Sequence, residues 1–103
     1  MPTLPYGLKS GLAIPGAYLV NGPSGSFPIF YSLSDYNNYF MNDIDDGYWV
    51  LPGFHIIVYS NSNYTGDVVC DANNTDGSYA FYYANSSANR GSSCRLYYNN
   101  EQF

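Results

Sequence analysis

The stretch FHIIVYSNSNYTG, residues 54–66, decides how the rest of the chain is read. Phe54, Ile56 and Val58 alternate with His55, Ile57 and Tyr59, and all but the histidine are β-branched or aromatic, so the segment reads as a strand with two largely buried faces. Ser60, Asn61, Ser62 and Asn63 come next, and their side chains bond to nearby backbone in turns. Tyr64 is placed to fold back over that turn, and Gly66 supplies a backbone conformation that a side chain forbids.

Working outward, an earlier and degraded copy begins at Tyr18. The spacing from Tyr18 to Gly25 equals that from Tyr59 to Gly66, with Pro23 standing where the second copy has Tyr64, and the two tyrosines lie 41 residues apart. Each half then carries a polar loop that runs into a short apolar segment. In the first, Asn42-Asp43-Ile44-Asp45-Asp46-Gly47 precedes Tyr48-Trp49-Val50; in the second, Ala88-Asn89-Arg90-Gly91-Ser92-Ser93 precedes Cys94-Arg95-Leu96. The chain reads as two versions of one unit.

The aromatic hairpin corner, the repeat of about forty residues and the polar loop before a final strand together resemble the paired Greek-key motifs of the βγ-crystallin superfamily, over roughly residues 12 to 100. The resemblance implies an all-β, two-sheet Greek-key β-sandwich of about eight strands. Motif one would span 12–53 and motif two 54–103, after an irregular N-terminal arm at 1–11 rich in Pro and Gly.

Composition leads to the same class. One chain of 103 residues makes one domain with a single core. Thirteen Tyr, six Phe and one Trp give 19 % aromatic against 11 % charged, and Gly, Pro and Asn interrupt almost every segment long enough for a helix. Strands are expected at 13–20, 26–32, 36–41 and 48–51, and again at 54–59, 67–71, 78–84 and 94–98, with a tail at 99–103. Pro28 calls for a free edge or a bulge near the second of these.

Charge excludes several partners. The net charge is −5, and Lys9, Arg90 and Arg95 are the only basic residues, so phosphate backbones and anionic membrane surfaces would be repelled. No nucleic acid or membrane partner is expected, and no segment has the apolar run of a signal peptide or a membrane span. An intracellular or virion location is expected, while sequons at Asn63, Asn73 and Asn85 leave a secreted form open. Cys70 and Cys94 fall in two expected strands and read either as one disulfide across the core or as two small buried thiols.

The sharpest chemistry the resemblance implies is calcium. In that superfamily two polar loops of the form Asn/Asp, Asn/Asp, two variable residues, Ser/Thr and Ser pair across the domain, and calcium takes six to eight oxygens of this kind. Matched residue by residue, the ligand candidates here are Asn42, Asp43 and Asp46 from the first loop and Asn89 and Ser92 from the second. Asp46 and Gly47 depart from the Ser/Thr and Ser of the pattern, and Ala88 departs from its opening Asn/Asp. An ordinary polar loop would instead leave Asp43, Asp45 and Asp46 solvated.

Catalysis is not expected. His55 is the only histidine and sits inside a strand, and no strained Gly-x-Ser-x-Gly turn is present. The competing role is structural: a tyrosine-rich, charge-poor surface suits protein partners or self-assembly, as a small subunit of a coat or virus particle without metal. Adjacent pairs Tyr82-Tyr83 and Tyr97-Tyr98 would each send one ring to either face of a strand. The resemblance also admits a secreted toxin or a protease inhibitor, for which the loops 72–77 and 85–91 are the candidate exposed segments.

Overall fold

The computed structural model describes residues 15–22, 25–40, 43–86 and 90–103. The expected arm at 1–11 lies outside them, as do Asn42 and Asn89. The described chain is all-β, two four-stranded antiparallel sheets packed face to face as a sandwich. Its strands are β1 (Ala17–Val20), β2 (Ser26–Ile29), β3 (Gly47–Val50), β4 (Phe54–Asn61), β5 (Thr65–Asn73), β6 (Phe81–Ala84), β7 (Ser93–Tyr98) and β8 (Glu101–Gln102). Sheet one runs β2-β1-β3-β6 and sheet two β5-β4-β7-β8.

Period-two alternation builds the core. Phe54, Ile56 and Val58 of β4 point inward with Leu96 and Cys94 of β7, and meet Ala17, Leu19, Tyr48 and Val50 from sheet one. The opposite face of β4 is half-buried rather than buried, because His55, Ile57 and Tyr59 have only neighbouring side chains over them. On β5, Val69 and Cys70 are consecutive and both buried. A bulge allows this: Cys70 opposes Val58 while Val68 opposes Tyr59, so Val69 is the extra residue.

The halves exchange backbone. β6 leaves the second half and pairs with β3 in sheet one, Trp49 opposite Tyr82. In the other direction, Leu33 of the first half makes a two-way backbone bridge to Cys94 of β7, at 2.9 Å each way.

Three elements differ from the sequence expectation. The strand expected at 36–41 is a 3-10 turn over Tyr36–Asn38, started by Asp35, whose side chain accepts the Asn37 N–H at 3.0 Å. Tyr36 and Phe40 then fall on one side, with ring centroids 4.9 Å apart. The segment expected as one strand at 78–84 pairs only from Phe81, and the tail at 99–103 returns as β8 through a turn in which Asn99 and Asn100 take positive φ. The corner correspondence also shifts by two residues: Val20 lies opposite Gly47 as Tyr59 lies opposite Ser93, so Val20, not Tyr18, occupies the position of Tyr59.

Candidate functional site

The hairpin joining β4 to β5 closes with Asn63 and Tyr64 at φ 58 and 61 and Gly66 at φ 84. A Cβ on Gly66 would stand 2.4 Å from Ser60 Oγ, so only glycine passes there. Tyr64 folds back edge-on to Tyr59, centroids 6.2 Å apart, and Arg95 lies over the Tyr64 ring at 4.5 Å. Ser93 holds the turn to β7 by donating to the Asn61 carbonyl at 2.6 Å and accepting the Tyr64 N–H at 3.0 Å.

Beside this turn lies an open cavity of about 400 Å³ lined by Asp35, Asn37, Asp43, Ser60, Asn61, Ser62 and Ser92. Asp43 and Ser92, ligand candidates from opposite halves, therefore line one pocket. Backbone bonds set their positions: Asp43 N–H donates to the Gly91 carbonyl at 2.9 Å and Ser92 N–H to the Tyr59 carbonyl at 2.9 Å. Asp43 holds φ 60, a left-handed conformation uncommon outside glycine, asparagine and aspartate. The lining supplies carboxylate, amide and hydroxyl oxygens, the hard donors that calcium takes. Among the described residues no group of three His, Cys, Asp or Glu side chains gathers, so two carboxylates are the charge this pocket offers.

Asp46 stands elsewhere. Its N–H donates to the Val20 carbonyl at 2.8 Å, and its Oδ2 is 3.1 Å from where a Cβ on Gly22 would be, at the first hairpin. The pocket does not include it.

Asp45, which an ordinary polar loop would leave solvated, is fully buried at 0 % exposure. Tyr48 donates to its Oδ2 at 2.6 Å, Asn85 to the same oxygen at 2.7 Å, and the Gly91 N–H to Oδ1 at 2.8 Å. Tyr36 joins through Tyr48 at 2.7 Å, and since the Tyr48 proton goes to Asp45, Tyr36 is the donor of that bond. A Cβ on Gly91 would sit 2.2 Å from Asp45 Oδ2, which makes glycine obligatory for the close approach. Asp45 is thus a buried pin between the loop before β3 and the loop before β7, and it sets the geometry of Asp43 and Ser92 on either side. Burial pushes the Tyr36 and Tyr48 phenols well above their ordinary range.

The remaining reactive groups are engaged. His55 Nε2 is 2.5 Å from Asp71 Oδ1, and its ring lies against Tyr97 with centroids 5.8 Å apart. Cys70 and Cys94 are free and buried, and burial pushes both thiols up to about 12. Both sit opposite Val58, one on each side of β4. Two strand spacings separate them, about 10 Å, too far for a disulfide without moving the backbone.

Among the described residues, fold and site together define a small all-β sandwich with an oxygen-lined loop pocket. The chain matches no protein-family model, no curated protein and no solved structure. No helix among the described residues is long and apolar enough to cross a membrane.

Proposed function

We propose that the protein is a non-enzymatic binding module of the βγ-crystallin type, holding one calcium ion in the pocket between the β4–β5 turn and the loops that carry Asp43 and Ser92. The observation that carries this reading is the meeting of Asp43 and Ser92, distant in sequence, in one oxygen-lined cavity. Kinship with the superfamily is supported by the strand exchange between halves and by the Tyr64 ring folded against Tyr59. The non-enzymatic part rests on the only histidine being paired with Asp71 and on both thiols being buried and held protonated.

The first hairpin offers a poorer match. Its turn is Asn21-Gly22-Pro23-Ser24-Gly25, against the hydroxyl- and amide-rich 60–63 of the second, and one ion rather than two follows. With two carboxylates in the lining, affinity belongs at the weak end of calcium sites, a Kd on the order of 10⁻⁴ to 10⁻³ M. Calorimetric titration, with melting followed in calcium and in chelator, tests the proposal. One ion should bind with a rise in melting temperature, about 2.7 kcal/mol of stabilisation at a hundredfold excess over Kd. Asp43→Asn should remove the heat and Asp46→Asn should leave it. No heat and no thermal shift at millimolar calcium would sink the calcium reading and leave the metal-free structural subunit.

A further inference from the structure

The outer face of sheet one carries a row in strict register. Pro28 of β2 lies opposite Tyr18 of β1, Tyr18 opposite Trp49 of β3, and Trp49 opposite Tyr82 of β6, so the row crosses all four strands. Trp49, on the inner strand β3, is 44 % exposed, and Tyr82, on the edge strand β6, is 41 % exposed. Their centroids are 5.5 Å apart and the rings tilt by 58°, making a shallow V open to solvent. Gly47 builds this arrangement: a Cβ there would stand 2.5 Å from the Tyr82 hydroxyl and 2.6 Å from Cζ, so its absence lets the Tyr82 ring lie down along the sheet.

On the outer face of sheet two the protein shows what such rings accept. There the Arg95 guanidinium sits 4.5 Å from the Tyr64 centroid and 5.9 Å from that of Tyr59. Among the described residues no cation covers the rings of sheet one: Arg95 is on the other face, and Arg90 is paired with Asp67 at 3.1 Å. The surroundings are acidic as well. Asp46 precedes Gly47, and the whole chain carries −5.

From this complementarity we infer that the outer face of sheet one docks a protein partner presenting arginine or lysine side chains, a guanidinium seating over Trp49 and Tyr82 as Arg95 seats over Tyr64. Tryptophan is the strongest of the aromatic acceptors for a cation, and a neighbouring carboxylate adds attraction of the same sign. An anionic partner is disfavoured by the same charges. A second copy of this chain fits poorly, since both of its described arginines are already engaged.

Trp49 is the only tryptophan, so its emission reads this face directly. The probe is a hexa-arginine peptide titrated into the whole protein, with a neutral cello-oligosaccharide in parallel and melting followed for each variant. The expected result is a saturable change in Trp49 emission with hexa-arginine, kept in Tyr82→Phe and weakened about fivefold or more in Tyr82→Ala. An unchanged emission would overturn the inference. So would equal binding by Tyr82→Ala, which would mean attraction to net charge alone, and so would saturable binding of the oligosaccharide that hexa-arginine does not displace.

Discussion

The two sheets of this domain differ in how they are built and in what they show to solvent. Sheet two centres on the long pair β4 and β5, eight and nine residues, whereas every strand of sheet one has four. On its outer face sheet two pairs its charged and aromatic side chains with one another, Arg95 over Tyr64, His55 with Asp71 and Tyr97 against His55, and leaves Val68 exposed. Sheet one leaves Trp49 and Tyr82 open. One sheet supplies most of the paired backbone, and the other, borrowing β6 from the second half, presents the contact surface. Local stability in a fold follows this kind of asymmetry, with long, well-paired strands opening last.

The largest test of that division is Asp45→Ala. It leaves the Tyr48 hydroxyl and the Gly91 N–H buried without their acceptor, and a loss of about 3–5 kcal/mol is expected by urea unfolding. Hydrogen exchange should then show β3 and β6 amides losing protection before those of β4. Equal loss in both sheets would break the comparison and make the domain one uniform unit.

Alkaline pH sharpens the comparison from the other side. Cys70 and Cys94 both lie in sheet two, on β5 and β7, and each thiol keeps its proton up to about 12 when folded. In the unfolded chain a thiol ionises near its ordinary value of about 8.5, so between the two values the folded state binds more protons and stability falls as pH rises. The slope is about 1.4 kcal/mol per pH unit for each thiol, and stability is flat with respect to them below that window. Tyr36 and Tyr48, whose phenols burial also pushes up, add to the fall from roughly pH 10 upward. Urea midpoints across pH 7 to 12 check this, and Cys70→Ala should remove one thiol's share of the slope.

The smallest effect is Arg95→Ala. Removing a cation from a half-buried tyrosine face costs about 0.5–1 kcal/mol, and thermal melting measures it. It also gives sheet two an uncovered pair of rings, so hexa-arginine should gain a second site there. If it does not, Arg95 is incidental to the rings it covers.

Much of the fold was legible because β4 spells itself out. Phe54, Ile56 and Val58 alternate cleanly, and the polar run before Tyr64 and Gly66 fixes the turn that follows. The 36–41 segment misled because its aromatics suit a strand, whereas the spacing of Tyr36 and Phe40 is the i, i+4 of a helical turn, and Asp35 ahead of them is a cap. Tyr18 misled by counting from the glycine of the turn, since turn lengths differ and backbone pairing puts Val20 at the corner. Of the site, Asp43 and Ser92 were readable from the loop pattern. Asp45 was not: three nearby aspartates look alike in sequence, and what buries one of them is the approach of Gly91 and Asn85 from the other half, information no local pattern holds.

Because β6 closes sheet one from the second half and Leu33 reaches β7 from the first, the domain has no seam along which its halves are self-sufficient. The chain joining them is short, from Val50 at the end of β3 to Phe54 at the start of β4. A protein cut there should yield two fragments that recover their fold only by complementation. Uncut, two molecules that straightened this hinge would find every lost contact again by trading second halves, so the strand exchange that makes one molecule cooperative is also a template for a domain-swapped dimer. Gly53 sits in that link at φ 89, where an added Cβ would stand 2.6 Å from the Tyr98 ring, so a residue with a side chain there would strain the turn that folds one half back on the other.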